Sequence, residues 1–457
     1  MNYTNLTLLK VRRLMSTKTN INTKFLTIIL LNLWGISSLI LFLFLPKTII
    51  NYTELYIFSS FLYLILCVFV FKYDVSKNGV LILTLVWFVV KAISISYNPI
   101  GSDDYYRYLW DGKVQINGIN PFLYAPQDLT LTSLHSELLP DKVSFPHIKT
   151  IYFPVAQALF TLSFAISGEN IWGLKLFLLL SDIMILISLY FLLIKFHLPL
   201  KYLLFYSTLP FIYFQFIIDS HIDLVGAALM LGAITLYLYQ KKHLGFILLG
   251  LSMLVKPTAL LLLPFLFQHE NSVKQKIIAF ILPLLILGFS FAPYIFVATP
   301  LETLINYTEN WTFNGMVYNI IKIFSADNFT IRIICGLLYI VVYATLFFSK
   351  LDFLKKIFLS IFLLMIFSPV VHPWYLIWFV VFLPLIQNFS GLYFVSAVSL
   401  TFFTVLTYQT TGVWKEYPIV LLTQYLPLFV LFIYEIFNNN LKEDIINKSI
   451  LEKTNKY

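Results

Sequence analysis

Charged residues are scarce in this sequence. Aspartate, glutamate, lysine and arginine make up 12% of the 457 residues, whereas soluble globular proteins carry roughly 25%. Hydrophobic residues account for 59%, and uncharged windows of about 20 residues, long enough to cross ~30 Å of hydrocarbon as a helix, recur along the whole chain. This composition excludes a soluble globular protein and predicts an all-α polytopic membrane protein, because helices satisfy their backbone hydrogen bonds within lipid.

Cysteine is nearly absent, and internal repeats are missing. Only Cys67 and Cys335 are present, both within apolar windows, so no disulfide framework is predicted. The lack of a repeat argues against the pseudo-symmetric architecture of many secondary transporters. The formal net charge is +9, but many of the basic residues lie in tails and short loops. Positive-inside topology explains this charge, and nucleic-acid binding is not predicted.

The distribution of basic residues predicts how the chain is oriented. Lysine and arginine next to membrane spans stay on the cytoplasmic side. The tails 1–24 and 438–457 are therefore predicted to be cytoplasmic, on either side of a transmembrane domain at 25–437. About 12–14 transmembrane helices are expected in this domain. The approximate spans are 25–45, 55–71, 79–98, 171–194, 202–218, 223–240, 277–297, 329–349, 354–371, 375–388, 392–408 and 418–437.

Segment 99–170 is predicted to be a large first external loop. Its acidic residues outnumber its basic residues, which is unlike a cytoplasmic loop. The orientation requires that 152–168 lie along the membrane without crossing it, because the lysines that follow would otherwise be outside. Lys256-Pro257 interrupts a later apolar run. Since proline removes a helical hydrogen bond, a broken helix or a tight hairpin is predicted there.

The most polar part of this loop is the stretch "GSDDYYRYLWDGKVQINGINP". It predicts a short interfacial helix from about Asp104 to Asn117, with Ser102 or Asp103 capping its start and Gly118 near its end. Helical spacing gives the helix an acidic face and aromatic faces, as expected for an amphipathic helix at the bilayer surface.

Two adjacent carboxylates stand at the start of this helix. One carboxylate is enough to cap a helix, so the other is available as a general base. Either Asp103 or Asp104 fits this role, and the sequence leaves the choice open. Arg107 and Asp111 lie on the same face as Asp104, and we expect them to hold the helix and the acceptor.

Three further polar clusters are predicted on the same external side. A D-x-H-x-D string combines carboxylates with imidazole, which suit divalent ions, so a divalent cation stays open and no other cofactor is predicted. The clusters are "DSHID" (Asp219, His221, Asp223), "NYTENWTFNG" (with Trp311 and Asn314) and "VHPWY" (His372, Trp374, Tyr375).

Isolated charges within apolar runs form a separate group. Lys256 is costly in such a run unless it is paired or faces a polar cavity, and the phosphate of a lipid substrate is a suitable partner. Asp182 is the same kind of anomaly, with Lys175 as its charged neighbour on that helix. Lys91 and Arg332 lie towards the ends of their spans and are predicted to extend to the membrane surface.

The order of these motifs from Ser102 to Pro384 resembles a known family. "SDDYYRYLWDGKVQINGINPFLYAP", "DSHIDLVGAALMLGA", "LVKPTALLLLPFLF", "NWTFNG" and "SPVVHPWYLIWFVVFLP" are similar to the bacterial polytopic mannosyltransferases of the glycosyltransferase C superfamily that use polyprenyl-phosphate sugars. A more distant resemblance is to glycosylphosphatidylinositol mannosyltransferase I. The resemblance implies a glycosyltransferase C-type fold and places the family's catalytic acid residue at Asp103 or Asp104.

The predicted function is an integral membrane glycosyltransferase of the bacterial inner membrane. It would move a hexose, with mannose preferred, from a polyprenyl-phosphate donor to a glycan or glycolipid acceptor on the external face, with inversion. The alternatives are a secondary transporter, a lipid-linked glycan flippase-like protein, or a transferase for another sugar. The predicted substrate-binding residues are Arg107, Asp111, Asp219, His221, Asp223, Lys256, Trp311, Asn314, His372, Trp374 and Tyr375.

The orientation of segment 99–170 is testable by thiol labelling. A cysteine introduced as His135→Cys or His147→Cys should react with a membrane-impermeant reagent added from outside, because the segment is predicted to be external. The parent chain, which carries Cys67 and Cys335 in apolar windows, is the background control. Labelling only from the cytoplasmic side would overturn the topology.

Overall fold

The computed structural model describes residues 25–325 and 327–438. Regular structure in these ranges is helical, apart from isolated bridges at Val370. The predicted all-α fold class is therefore confirmed for the described part of the chain. The predicted cytoplasmic tail 1–24 lies outside the described residues, and so does nearly all of the tail 438–457.

The first half of the chain contains long helices and one long irregular segment, which follows α4. A six-residue 3₁₀-helix, Leu129–Leu134, lies within that segment. The helices are α1 (Phe25–Phe44), α2 (Ile49–Lys72), α3 (Lys77–Ile93), α4 (Asp104–Ile116), α5 (Pro154–Ser167), α6 (Trp172–Lys195), α7 (Leu204–Ser207), α8 (Pro210–Ile212), α9 (Asp223–Leu238) and α10 (Lys242–Met253).

The second half alternates long helices with short helical pieces. The bounds are α11 (Leu263–His269), α12 (Val273–Ile295), α13 (Glu302–Asn310), α14 (Met316–Lys322), α15 (Asn328–Phe348), α16 (Phe353–Phe367), α17 (Ile377–Val380), α18 (Leu383–Ile386), α19 (Phe389–Ala397), α20 (Phe402–Thr411) and α21 (Pro418–Phe437).

Eight helical segments among the described residues are long and apolar enough to cross a membrane, which confirms a multi-pass architecture. The predicted count of about 12–14 is reached only if the shorter apolar helices also count as crossings. The eight segments are Phe25–Phe44, Ile49–Lys72, Lys77–Ser96, Trp172–Lys195, Val273–Ile295, Asn328–Phe348, Phe389–Thr411 and Pro418–Phe437. The shorter apolar helices are Pro154–Ser167, Asp223–Leu238, Lys242–Met253 and Pro257–His269.

Proline divides several of the apolar runs. The predicted span at 202–218 is bent by 43° before Pro210, which has no N–H for the helical hydrogen bond. The predicted span at 375–388 is likewise a series of short helical pieces. At Lys256 the backbone is extended and α10 has ended, so the predicted broken helix is confirmed.

The bundle has an apolar exterior, as a chain in lipid requires. Large side chains project from the long helices, including Phe289 at 73% exposure, Val341 at 64% and Leu426 at 63%. Exposed apolar area of this extent is incompatible with a monomer in water. The same helices begin at polar caps, since the side chains of Thr48, Ser76, Ser272, Asp327, Asp352 and Asn388 accept hydrogen bonds from N–H groups of the first turn.

The charges within the apolar runs find partners inside the bundle. Lys91 Nζ lies 2.7 Å from the carboxylate of Asp182, both residues are buried, and the Tyr206 hydroxyl donates to the same carboxylate at 2.9 Å. The predicted extension of Lys91 to the membrane surface is therefore wrong, because a counter-ion on a neighbouring helix holds it inside. Lys175 is not the partner of Asp182, and it donates to the carbonyl of Tyr97.

Removal of one partner of the Lys91–Asp182 pair should strongly destabilise the protein. Asp182→Asn leaves the Lys91 charge buried without a counter-ion, and we expect a loss of about 3–5 kcal/mol in the free energy of unfolding. Thermal unfolding in detergent measures the loss as a lower Tm. The double variant Lys91→Met/Asp182→Asn removes both charges and should recover most of it. An Asp182→Asn protein as stable as the wild type would contradict this role.

Candidate active site

Helix α4 is held tightly against α5. It begins at Asp104 and ends before Gly118, whose φ of 78° is favourable only for glycine, so the predicted helix is confirmed. Gly112 allows the close approach, because a Cβ at this position would lie 2.3 Å from the carbonyl oxygen of Phe160 in α5. The aromatic side chains of Tyr108 and Phe160 stack beside this contact with ring centroids 4.6 Å apart.

The segment that leads into α4 is anchored by Asp219. Its buried carboxylate accepts hydrogen bonds from the N–H groups of Ile100 at 3.1 Å and Gly101 at 2.8 Å. The Tyr52 hydroxyl of α2 donates to the other carboxylate oxygen at 2.6 Å. Since both oxygens are occupied and the residue is fully buried, Asp219 fixes the start of the loop, and its predicted contact with substrate stays a prediction.

The two adjacent carboxylates have different surroundings. The Ser144 hydroxyl donates to the carboxylate of Asp103, which makes no capping bond to α4. The hydroxyl of Ser102 instead accepts from the Asp104 N–H at 3.2 Å. Of the two predicted caps, the structure therefore uses Ser102. The side chain of Asp104, 33% exposed, lies with Oδ2 3.5 Å from Nδ1 of His221.

These surroundings shift the two pKa values in opposite directions. Burial raises the pKa of Asp103, and the neighbouring charge of Asp104 raises it further. Burial also works to raise the pKa of Asp104, but His221 outweighs it and lowers the pKa of this carboxyl below its ordinary value. Asp104 is therefore an ionised carboxylate at neutral pH.

Two histidines and a tryptophan form a stack beside Asp104. The imidazole of His221 lies on the indole of Trp374, with ring centroids 3.6 Å apart, and His372 stacks on Trp374 at 4.5 Å. Burial lowers the pKa of His372 to about 3, so it is neutral at neutral pH. His221 is fully buried, and neither of its ring nitrogens makes a hydrogen bond. The stack holds its Nδ1 facing the Asp104 carboxylate.

Lys256 lies at the break after α10 and contacts the other side of this cluster. Its ammonium group is 2.8 Å from the carboxylate of Asp223, the first residue of α9. The indole N–H of Trp378 donates to the same carboxylate at 3.1 Å. Lys256 also lies 4.2 Å from the ring centroid of Tyr375 and is 22% exposed. The cation is therefore paired and still accessible, as predicted for a lysine facing a polar cavity.

Other predicted residues have structural partners. The buried carboxylate of Asp111 accepts from the Thr150 hydroxyl at 2.5 Å and from the Gln157 amide at 2.9 Å, which ties α4 to α5. Burial raises the pKa of Asp111. Arg107 donates to the carbonyl of Phe145 at 3.0 Å.

The "NWTFNG" motif packs against the "VHPWY" segment. Asn314, buried and with a φ of 52°, donates its amide to Gln424 at 3.0 Å, and Glu416 accepts its backbone N–H at 2.7 Å. The ring of Phe313 lies 5.1 Å from that of His372. This motif therefore supports the histidine stack from the side of α21.

Arg332 braces the end of α13. Its guanidinium donates to the carbonyl oxygens of Thr308 at 2.6 Å and Trp311 at 2.5 Å. The predicted extension of Arg332 to the membrane surface stays a prediction, because the carbonyls that bind its guanidinium belong to residues outside the candidate spans. Trp311 stacks on Tyr307 with ring centroids 5.4 Å apart. Tyr307 in turn shares a hydrogen bond of 2.9 Å with the Tyr375 hydroxyl.

The described residues contain no group of three or more His, Cys, Asp or Glu side chains placed to hold a metal ion. The "DSHID" string does not converge on one point. Asp219 binds the loop, His221 faces Asp104 and Asp223 binds Lys256. The spacing that suggested a metal instead sends three side chains to three partners, because Ser220 with a φ of 67° interrupts the local helix.

Sequence reasoning missed several polar residues of this region. Tyr307, Gln157, Thr150 and Glu416 all make hydrogen bonds to predicted site residues or to their neighbours. They occur in stretches with ordinary polar composition. Only the predicted proximity of the loops could have indicated Tyr307, which lies one turn before Trp311.

Comparison with known protein families identifies the family of the chain. The profile of the alpha-(1->6)-mannopyranosyltransferase N-terminal domain matches residues 34–269, more than half of the chain. The chain belongs to this mannosyltransferase family. The profile of the MptB C-terminal domain matches residues 314–437. No curated protein and no solved structure gives a significant match.

This mannosyltransferase is thus a multi-pass membrane enzyme that transfers a hexose. The resemblance to bacterial mannosyltransferases is confirmed, and the family implies a sugar donor and a glycan acceptor. The cluster draws on both matched regions, because Asp104, His221 and Lys256 lie within 34–269 and Trp374 within 314–437.

The anchor at Asp219 predicts a positioning effect of Gly101. A Cβ added by Gly101→Ala would lie 2.5 Å from Asp219 Oδ2 and 2.6 Å from the Phe402 ring. The segment before Asp104 must then shift, and misplacement of this size costs on the order of 10²-fold in rate. Mannosyl transfer in proteoliposomes measures the effect.

Gly336→Ala is the matched control. No atom lies within 4 Å of a Cβ added there, so full activity is expected. Equal activity of the two variants would contradict the positioning role of the Asp219 contact.

Proposed function

We propose that the enzyme transfers mannose from a polyprenyl-phosphate donor to a glycan or glycolipid hydroxyl, with inversion and with Asp104 as the general base. The observation that carries the proposal is the partly exposed Asp104 carboxylate 3.5 Å from His221, which stacks on Trp374, with the charge of Lys256 near enough to act on the same carboxyl. The base is thus close to a cation and to stacked rings at the end of the bundle.

Asp104 is preferred to Asp103 on three grounds. Asp104 faces the polar cluster, whereas the carboxylate of Asp103 accepts from Ser144 in the loop. The lowered pKa of Asp104 keeps it ionised, while the pKa of Asp103 is raised. His221 supports the carboxylate, and on proton uptake by Asp104 the imidazole stays held by Trp374.

The proposed reaction is a single displacement. The acceptor oxygen attacks the anomeric carbon of mannose while its proton passes to the Asp104 carboxylate. The bond between that carbon and the phosphate oxygen breaks, and its electron pair leaves with the polyprenyl phosphate. General-base assistance contributes on the order of 10²–10⁴ in rate. The carboxylate releases the proton to water after the glycan departs.

Lys256 is the proposed partner of the departing phosphate. Only part of its ammonium group is taken by Asp223, and it remains accessible at the break after α10. A fixed cation stabilises the negative charge that grows on the leaving oxygen in the transition state. Tyr375, beneath the lysine, and the Asp223 carboxylate keep the ammonium group in place while the donor is absent.

The proposed membrane is the bacterial inner membrane, with the site on its external side and both termini in the cytoplasm. Helix α2 carries Tyr52, the partner of Asp219, in its first turn. At its other end Lys201 donates to the carbonyl of Tyr73 at 3.1 Å. A helix of 24 residues is ~36 Å long, so the site and this lysine end lie on opposite sides of a bilayer, as positive-inside topology requires.

The test is reconstitution in liposomes with radiolabelled polyprenyl-phosphate-mannose and a membrane extract as the source of acceptor. Asp104→Asn should lower the rate by about 10²-fold or more, because the amide cannot accept the proton. Asp103→Asn should retain most of the activity. Transferred label in the acceptor fraction measures both.

Asp141→Asn is the matched control, an exposed carboxylate in the same loop that should be dispensable. A wild-type enzyme that transfers no mannose from this donor would contradict the proposed function. Full activity of Asp104→Asn, with loss in Asp103→Asn, would assign the base to the neighbouring residue instead.

A further inference from the structure

A continuous row of aromatic rings leads away from Lys256. The ammonium group lies over Tyr375, whose hydroxyl shares a hydrogen bond with Tyr307. Tyr307 stacks on Trp311 at 5.4 Å with an interplanar angle of 26°, and Phe145 meets Trp311 edge-on at 5.1 Å. We call Tyr307, Trp311 and Phe145 the aromatic track.

Two arginine side chains bind the backbone of the track, one on each side. Arg107 donates to the carbonyl of Phe145, and Arg332 donates to the carbonyl of Trp311. The two segments are joined a few residues away by an ion pair of 3.2 Å between Lys149 and Glu302. Phe145 also has a φ of 51°, a conformation that non-glycine residues rarely adopt. These contacts fix the rings without covering them.

The rings of the track are accessible. Phe145 is 53% exposed, and Tyr307 and Trp311 are half-buried. In helix α13 none of the residues is buried, and the neighbours of Tyr307 and Trp311 there are polar, with Asn306, Thr308, Glu309 and Asn310 exposed. The track lies outside the eight candidate spans. A surface that is aromatic, polar at its edges and outside the spans differs from the purely apolar exterior of the bundle.

This combination fits a sugar chain. One face of a pyranose ring presents C–H groups that carry a small positive charge and pack on the negative face of an aromatic ring. Its hydroxyl groups at the rim need polar partners, which the side chains of α13 provide. A prenyl chain has no polar groups that could bind those side chains. It is more stable against the lipid-facing surface of the bundle.

We infer that the aromatic track is an acceptor subsite, on which a sugar residue of a glycan acceptor stacks while the hydroxyl to be mannosylated reaches Asp104. This inference rests on the proposed function and names the part of the acceptor that binds away from the reacting atoms. Such a subsite makes the enzyme favour acceptors that contain more than one sugar residue.

The test compares two acceptors with the same donor. Methyl α-mannoside fills only the position at Asp104, whereas a linear alpha-(1->6)-linked mannotetraose also reaches the track. Trp311→Ala should raise KM for the tetraose by roughly 3- to 10-fold, the range of one aromatic contact, and should raise KM for the methyl mannoside less. Phe145→Ala should shift the two constants in the same sense, and Trp311→Phe should restore the tetraose KM.

Tyr124→Ala is the control, because Tyr124 is an exposed aromatic residue of the same loop outside the track. It should leave both acceptor constants at wild-type values. Equal changes in KM for the two acceptors in Trp311→Ala would overturn the subsite. A higher KM for the polyprenyl-phosphate donor alone would also overturn it and assign the rings to the donor. A wild-type enzyme that mannosylates neither acceptor but labels the membrane extract would also overturn the subsite for mannose chains, whereas an enzyme that labels neither the two acceptors nor the extract would contradict the proposed function.

Discussion

The buried carboxylate of Asp219 is the contact on which the geometry of the site depends. It joins the hydroxyl of Tyr52 on α2 to the N–H groups of Ile100 and Gly101, three residues before α4 begins. Two residues further along its own segment, His221 faces Asp104. The same short stretch therefore fixes both the start of α4 and the imidazole that lowers the pKa of Asp104. The start of the loop is therefore held by a side chain from another segment and not by the loop's own backbone alone.

The bundle contains two kinds of ion pair, one buried and one partly accessible. Lys91 and Asp182 are buried and paired within the apolar region, where an unpaired charge is costly. Lys256 and Asp223 are also paired, but the lysine is accessible at a broken helix and lies against Tyr375. The first pair is inaccessible to solvent and has a structural role. The second keeps a cation available beside the carboxylate proposed as the base, and it does so because Pro257 ends the helix there.

The site is assembled from distant parts of the chain. The N-terminal matched region supplies Asp104, His221 and Lys256, and the C-terminal one supplies the stack at Trp374. Trp311 lies between the two matched regions, and Phe145 reaches it from the first loop. The proposed site of mannosyl transfer thus lies where both regions meet, while Tyr307 and Trp311 of the proposed acceptor subsite lie in a segment that neither region's profile covers. Variation in that segment would change acceptor preference without disturbing the reacting groups.

Much of the fold follows from the sequence alone. Runs of apolar residues with few charges require membrane helices, since backbone groups in lipid must bond within the segment. The sequence placed the start of α4 at Ser102 or Asp103 and its end near Gly118, and it indicated a broken helix or a hairpin at Lys256-Pro257. The polar clusters around residues 104, 221, 256 and 372 were visible as interruptions of the apolar pattern. The sequence did not show which clusters contact each other or which atoms make the contacts.

Those pairings were decided only by the tertiary structure. The partners of Asp182 and Arg332 lie on other helices or at their ends, and local spacing holds no information about such contacts. In the same way, the spacing of "DSHID" suggests one group of ligands, yet Asp219 binds Gly101, His221 faces Asp104 and Asp223 binds Lys256. The sequence determined that most polar residues lie at the ends and breaks of apolar helices, because an unpaired charge within the hydrocarbon is costly. The packing of those helices decided which carboxylate faces the cluster, because a side chain's partner depends on which elements lie beside it.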